Sequence, residues 1–333
     1  MGDETSAILA LIDGASIGKI TSIDLLGSGY ASSAFRITSP EGQFVALTRK
    51  SDSIEPPDYA YYFAILKTLE SIDYKFAPRA VYINPAQSVI LMTAVPGQPF
   101  GWINDAPEDR QKQAVQALIT ALLDLRDAPF SSCGRTYKDL TGKKLETTTI
   151  EKSIQHYMTD WFELAQTGQP DQSLTDWIKP KLAACQVFAK RSKPGKRTVL
   201  VHGDTSEGNI FLNRDLQLNL IDWDGSSFDQ FPDGWDDFGM AYLMNHVPLF
   251  QEFRPLVISL VSERCRVASK ELETTITRTQ ELIKLGDIQW AYMMHSRAVM
   301  GEIKSQPAEF FLDTAKERIS DYEKMFAGNS FLV

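Results

Sequence analysis

Val201, His202, Gly203 and Asp204 are followed at a spacing of five by Asn209, and Asn209 is followed at a spacing of thirteen by Asp222, within Ile221, Asp222, Trp223 and Asp224. Between them, Ile210, Phe211 and Leu212 lead into an Asn213, Arg214, Asp215 turn, and Leu218, Leu220 and Ile221 lead out of it. Apolar runs around such a turn read as a hairpin. A hairpin returns its second end to its first, so the carboxylates of Asp204 and Asp222 and the amide of Asn209 converge. Hard oxygen donors of this kind suit magnesium, which takes one or two protein carboxylates and fills its shell with phosphate oxygens and water. The chemistry within reach is phosphate chemistry on a metal-bound nucleotide.

At these residues the sequence resembles the aminoglycoside phosphotransferase and choline kinase family, and the resemblance implies a protein-kinase-like fold for nearly the whole chain. It implies Asp204 as the catalytic base that orients and deprotonates a substrate hydroxyl, with Asn209 and Asp222 as magnesium ligands at the triphosphate of ATP or GTP. His202 would then fix the loop, and Asp224 would assist metal or substrate binding. Asp237, Phe238 and Gly239 spell the metal-binding tripeptide of protein kinases but stand 28 residues after Asn209. The resemblance instead has Asp236 or Asp237 opening the next helix and bracing the site, where the macrodipole favours a carboxylate. Ser206, in the slot of a protein-kinase lysine, fits the small-molecule branch, and Gly203 leans toward its aminoglycoside side.

These residues need elements to hold them. Residues 20 to 50 read as three strands joined by turns, and Tyr59, Tyr62, Phe63, Leu66 and Leu69 then fall at helical intervals behind Asp58. Strands follow at 80 to 83 and 88 to 94, up to the breaker Val95, Pro96, Gly97. Beyond it the pattern is mostly helical, beginning with a helix announced by Asp105 and Pro107. The expected architecture is α+β: a small antiparallel-sheet N-lobe for nucleotide binding over residues 1–97 and a larger, mainly helical catalytic and substrate-binding lobe over 98–333. Gly27, Gly29 and Ser32 read either as a shortened glycine turn that lets backbone amides approach phosphates or as a plain hairpin turn. In the first case Met92 and Ala94 belong to a hinge on the adenine edge, with Ala46 and Leu26 walling the ring.

The kinase pattern is broken in two places. Val45, Ala46, Leu47 and Thr48 align with the kinase Val-Ala-Ile-Lys strand, leaving threonine where a phosphate-binding lysine is expected. Strand alternation puts Lys50 on the face of Thr48, so Lys50 is the expected substitute, with Arg49 behind it. Tyr61, Tyr62 and Phe63 occupy the place of the partner glutamate, leaving Glu55 to rebuild the ion pair.

The formal charge of −9 disfavours nucleic acid and anionic membranes and favours cationic partners. An amine-bearing acceptor would suit Asp224, Asp236, Glu207 and Trp290, with Asp229, Asp233, Trp223, Trp235 and Tyr292 as further candidates. Cys133, Cys185 and Cys265 form no paired motif, and no apolar run reaches bilayer length, so a cytoplasmic location is expected. The expected activity is an ATP- and magnesium-dependent transfer to a hydroxyl of a small molecule, an aminoglycoside-like amino sugar or amino alcohol first. A choline or ethanolamine kinase-like enzyme and a catalytically weak nucleotide-binding pseudokinase are the other readings.

Overall fold

The computed structural model describes residues 3–28, 31–50, 56–128, 133–168, 170–191, 198–229, 237–303, 306–328 and 330. Helix α1 (Asp3–Leu11) precedes β1 (Ser22–Ser28), β2 (Ser32–Ser39) and β3 (Gly42–Arg49). Helix α2 (Tyr59–Ser71), β4 (Ala80–Ile83) and β5 (Val89–Thr93) follow. The five strands form one antiparallel sheet in the order β1-β2-β3-β5-β4. Next come β6 (Gln98–Pro99), a 3-10 turn Phe100–Asp105, α3 (Glu108–Asp127) and α4 (Cys133–Thr141). Helices α5 (Ile150–Ile154), α6 (Trp161–Gln166) and α7 (Gln172–Arg191) lead to β7 (Val199–Val201). The hairpin β8 (Ile210–Leu212) and β9 (Leu218–Leu220) precedes a 3-10 turn Trp223–Gly225 and β10 (Ser227–Asp229). The rest is helical: α8 (Asp237–His246), α9 (Pro248–Glu252), α10 (Arg254–Cys265), α11 (Ser269–Val299) and α12 (Ala308–Phe326). This is the small antiparallel N-lobe and larger helical C-lobe of a kinase-like fold. The chain packs as two compact units, Met1–Glu146 with His202–Ser226, and Thr147–Val201 with Ser227–Val333.

In the first unit, the pleat puts Phe35, Ile37, Phe44, Ala46, Val89 and Leu91 on one face of the sheet, where Ile8, Ile12 and Ile17 cover them. Helix α1, which supplies Ile8, is an element the sequence pattern did not signal. The other face carries Val45 opposite Met92, and there α2 packs, its Tyr62 hydroxyl donating to Met92 Sδ at 3.8 Å. Asp58 caps α2 by accepting from the Tyr61 amide at 2.9 Å, and its other oxygen accepts from the Tyr137 hydroxyl of α4 at 2.9 Å. The start of α2 is therefore pinned from within and from outside.

The predicted hairpin forms as β8 and β9, and β6 extends it into a three-stranded sheet. Its turn is closed by Asn213, whose Oδ1 accepts from the amides of Asp215 and Gln217, each at 2.9 Å. Gly97 has φ +103°, and a Cβ there would lie 2.7 Å from the carbonyl carbon of Leu212, so the chain enters this sheet where only glycine fits. In the second unit, α11 packs along α12 and α8, and β7 pairs with β10. The buried Glu281 of α11 accepts from the Tyr322 hydroxyl at 2.6 Å and from Ser330. Among the described residues no helix is long and apolar enough to cross a membrane.

Candidate active site

The site is built on the segment His202–Ser226 of the first unit. His202 is buried, hydrogen-bonds through Nε2 to the Ile221 carbonyl at 2.9 Å, and lies 4.5 Å from the Trp223 ring. Burial pushes its imidazole down to about 4, so it stays neutral and its Nε2–H donates. That makes it a strut between the two ends of the hairpin rather than a base. Gly203 has φ +85°, and a Cβ there would come within 2.0 Å of the Gly225 carbonyl oxygen. The backbone before Asp204 thus touches the backbone after Asp222, which brings the distant carboxylates into one place.

Asn209 donates through Nδ2 to Asp204 Oδ2 at 2.8 Å and to the Asp204 carbonyl at 3.1 Å. Its amide oxygen is left on the side away from Asp204. The Asn209 carbonyl in turn accepts from the Ile221 amide at 2.9 Å, next to Asp222. Asp204 Oδ1 is buried and has no hydrogen-bond partner among the described residues. An orphaned carboxylate oxygen of this kind calls for a ligand, a proton donor or a cation.

Asp222 adopts φ 63°, ψ 62°, a left-handed conformation that costs a non-glycine residue about 1–2 kcal/mol. Its neighbours hold it there. Trp223 is fully buried with Nε1 donating to Leu220 O at 2.8 Å, and the Tyr62 hydroxyl sits against the amides of Trp223 and Asp222. Tyr61 of the same helix donates to Ser226 O at 3.0 Å. The carboxyls of Asp222 and Asp224 share a hydrogen bond. Burial first, then the Asp224 and Asp204 charges, push Asp222 up to about 8, and burial raises Asp224 as well. As a residue Asp224 keeps an exposed edge, while its carboxyl is hemmed in beside Asp222.

These residues fit a divalent cation. The carboxyls of Asp222 and Asp224 crowd together within electrostatic reach of Asp204, one Asp204 oxygen is orphaned among the described residues, and the Asn209 amide nitrogen holds the other. Among the described residues no group of three or more His, Cys, Asp and Glu side chains could hold a metal on its own. An ion shared with phosphate oxygens needs no such closed set.

On the sheet the structure corrects the expectation for Ala46 and separates Arg49 from Lys50. Ala46 is fully buried on the face covered by Ile8 and Ile12, so it fills the core and does not wall a nucleotide ring. The Lys50 amide continues the β3 pairing by donating to Ala31 O at 3.0 Å, which keeps Lys50 in phase with Ala46 and Thr48. Arg49 therefore stands on the α2 face, with Nη2 donating to Pro57 O at 2.7 Å and its guanidinium carbon 5.8 Å from the centre of the Tyr59 ring. Leu26 stays exposed, and a Cβ at Gly27 would meet no atom within 4 Å, so the protein fold itself does not require glycine there. Ser32 is bonded to the Tyr59 hydroxyl at 2.8 Å. Met92 is buried under Tyr62, and the Ala94 amide is taken by Gln43 O at 2.9 Å. Gly29 and Glu55 lie outside the described residues.

The acceptor candidates have different surroundings. Glu207 is turned onto the 3-10 segment, where Asn104 donates to its carboxylate at 3.2 Å and Phe100 to its carbonyl at 3.1 Å. Trp223 and Tyr292 are fully buried, the latter bonded to Thr175 at 2.7 Å, so both are core residues and not lining groups. Trp290 stands on α11 of the second unit, with Phe311 at 6.1 Å and the Arg318 guanidinium at 5.5 Å from its ring. Asp233, Trp235 and Asp236 lie outside the described residues, as does the side chain of Asp229. The sequence reading missed the hydroxyls of Tyr59, Tyr61 and Tyr62. Their spacing announced a buried helix face, and only their unusual number in one turn hinted at a polar task.

Residues 22–246 match the profile of the phosphotransferase enzyme family, APH. This is well over half of the chain, and the chain belongs to that family. Its fold is similar to that of the ADP-bound aminoglycoside phosphotransferase APH(2'')-Ib, with a TM-score of 0.64 and 15% identity over 98% of this chain and 99% of that one. It is similar to the ethanolamine kinase of Plasmodium vivax, with a TM-score of 0.63 and 12% identity over 96% of this chain and 89% of that one. The choline kinase of Cryptosporidium parvum gives a TM-score of 0.64 at 12% identity, over 97% and 96% of the two chains. At such identities the likeness is one of fold.

Proposed function

We propose that this chain transfers the terminal phosphoryl group of ATP or GTP to a hydroxyl of a small molecule, with an aminoglycoside-like amino sugar or amino alcohol as the first acceptor to test. The observation that carries the reading is the buried Oδ1 of Asp204, without a partner among the described residues, beside Asn209 and closed onto Asp222 by the contact of Gly203 with Gly225. Asp204 Oδ1 accepts the proton of the acceptor hydroxyl and aligns its oxygen for attack. Asn209 fixes the other carboxylate oxygen, so the base cannot turn away. His202 takes no proton and keeps the hairpin ends together. When bound, magnesium would offset charge on the triphosphate, with Asn209 and Asp222 as its protein ligands and Asp224 beside them. Gly27 leaves room above the site for backbone amides to approach phosphates.

The net negative charge and the crowd of carboxylates support an acceptor bearing an amine. Folds shared with an aminoglycoside phosphotransferase, an ethanolamine kinase and a choline kinase are in keeping with it. The test is a panel of amino sugars, choline, ethanolamine and neutral polyols incubated with magnesium and ATP or GTP, with the phosphorylated product read by mass spectrometry. Product that disappears in Asp204→Asn supports the reading. A second reading, a nucleotide binder with weak or no catalysis, draws on the altered β3 cation and the tyrosines of α2. Stabilisation by nucleotide, with no acceptor turned over and Asp204→Asn without effect, would favour it.

A further inference from the structure

The described contacts of the Arg49 guanidinium are with uncharged groups, the Pro57 carbonyl and the face of Tyr59. Tyr59 is 1% exposed, and its hydroxyl is bonded to Ser32 Oγ at 2.8 Å, at the start of β2. It is also within electrostatic reach of Asp222 and Asp224. One side chain thus touches the cation at the end of β3, the start of β2 and the field of the carboxylate cluster. Its helix is fixed to that cluster by Tyr61 on Ser226 O and by Tyr62 against the amides of Asp222 and Trp223.

We propose that Tyr59 is the positioning residue of the nucleotide site: its ring holds Arg49 for the nucleotide phosphates and its hydroxyl holds Ser32, with no carboxylate among the described partners of Arg49. This rests on the reading that the chain binds a nucleoside triphosphate. A glutamate in this place would neutralise part of the guanidinium and would add a carboxylate to a cluster of three. An aromatic face holds the cation and leaves its charge, and the N–H groups that Pro57 does not use, free for phosphate oxygens. Restraint of the Arg49 side chain also lowers the entropy lost when it grips a ligand.

The test measures the affinity of the full chain for magnesium-ATP and for adenosine, which lacks the phosphates. Arg49→Ala and Tyr59→Leu are each expected to weaken ATP about tenfold and to leave adenosine unchanged, and the double variant should lose far less than the product of the two losses. Tyr59→Phe, which keeps the ring, should retain most of the affinity and lose no more than Ser32→Ala does. Should Tyr59→Leu fail to fold, Tyr59→Phe combined with Ser32→Ala carries the test, because their losses must not add. Wild type that binds neither ligand sinks the nucleotide reading and this proposal with it. Wild type that binds ATP overturns only the Tyr59 assignment if the Arg49 and Tyr59 losses multiply, if adenosine weakens equally, or if Lys50→Ala or Glu55→Gln produces the ATP-specific loss instead.

Discussion

The hairpin segment His202–Ser226 and the face formed by β3 and α2 belong to the same unit, yet they meet their tasks in opposite ways. In the hairpin, atoms must stand at fixed places. In the proposed reaction a carboxylate has to accept a proton and an amide has to lock it, and the backbone passes within 2.0 Å of where a Cβ would be. Few residue types can do these things, so Asp204, Asn209, Gly203 and Asp222 are what an observer of the sequence would seek. On the β3 and α2 face the task is to hold a positive charge in place, and an ion pair, a carbonyl or an aromatic ring can all do that. There the sequence has Thr48 and the tyrosines of α2 at the places of the kinase lysine and glutamate, and among the described residues Arg49, Tyr59 and Pro57 stand together. Chemistry that moves a proton constrains residue type, whereas chemistry that only positions a charge does not.

The largest effect that could break this comparison is expected at Asp204. Asp204→Asn should lower kcat for phosphoryl transfer by about 10²–10⁴-fold while nucleotide binding persists. Steady-state kinetics beside a binding isotherm checks it, and a near-normal kcat would remove the base from the hairpin. Next comes Gly203→Ala, which forces a left-handed alanine at about 1–2 kcal/mol and drives its Cβ into Gly225 O. Thermal unfolding should shift down and activity fall, whereas Gly225→Ala, whose Cβ meets Asp204 only at 3.9 Å, should be milder. Equal shifts in the two variants would mean that the loops part easily.

His202 supplies a pH signature. The folded chain protonates it only near pH 4, while the unfolded chain does so near 6.5. Between these values the unfolded state binds the extra proton, so the His202 contribution to stability falls as pH drops through that window and is constant above it. Denaturant titrations at pH 7 and pH 5 should show that loss, and His202→Gln should show less of it. The smallest effect is expected at Gly27. Gly27→Ala should change folding stability by no more than about 0.5 kcal/mol, since its Cβ meets open space, while weakening nucleotide binding if amides there approach phosphates. A variant that binds nucleotide as wild type does would return Gly27 to a plain position of the irregular β1–β2 pairing.

Much of the fold was legible because period-two and helical spacing survive in linear order. The strands at 20 to 50, the helix behind Asp58 and the hairpin around Asn213 all appear where the pattern put them. Helix α1 was missed because its sequence carries only a weak apolar stripe, and its place is set by the sheet face it covers. Which β3 cation meets α2 was open for a related reason. Alternation correctly separated Arg49 from Lys50, but it cannot tell which face of a sheet will meet α1 and which will meet α2.

By itself the sequence determined the carboxylates and amide of the hairpin, their spacing and the family to which the chain belongs, since those depend on residue type and on contacts local to one turn. Only the tertiary structure decided that Ala46 belongs to the core, that Arg49 turns toward Tyr59, and that Asp204 keeps an oxygen without a partner among the described residues. Those outcomes depend on which surfaces exclude water from which faces, and burial of that kind is a property of packed elements that no single stretch of residues carries.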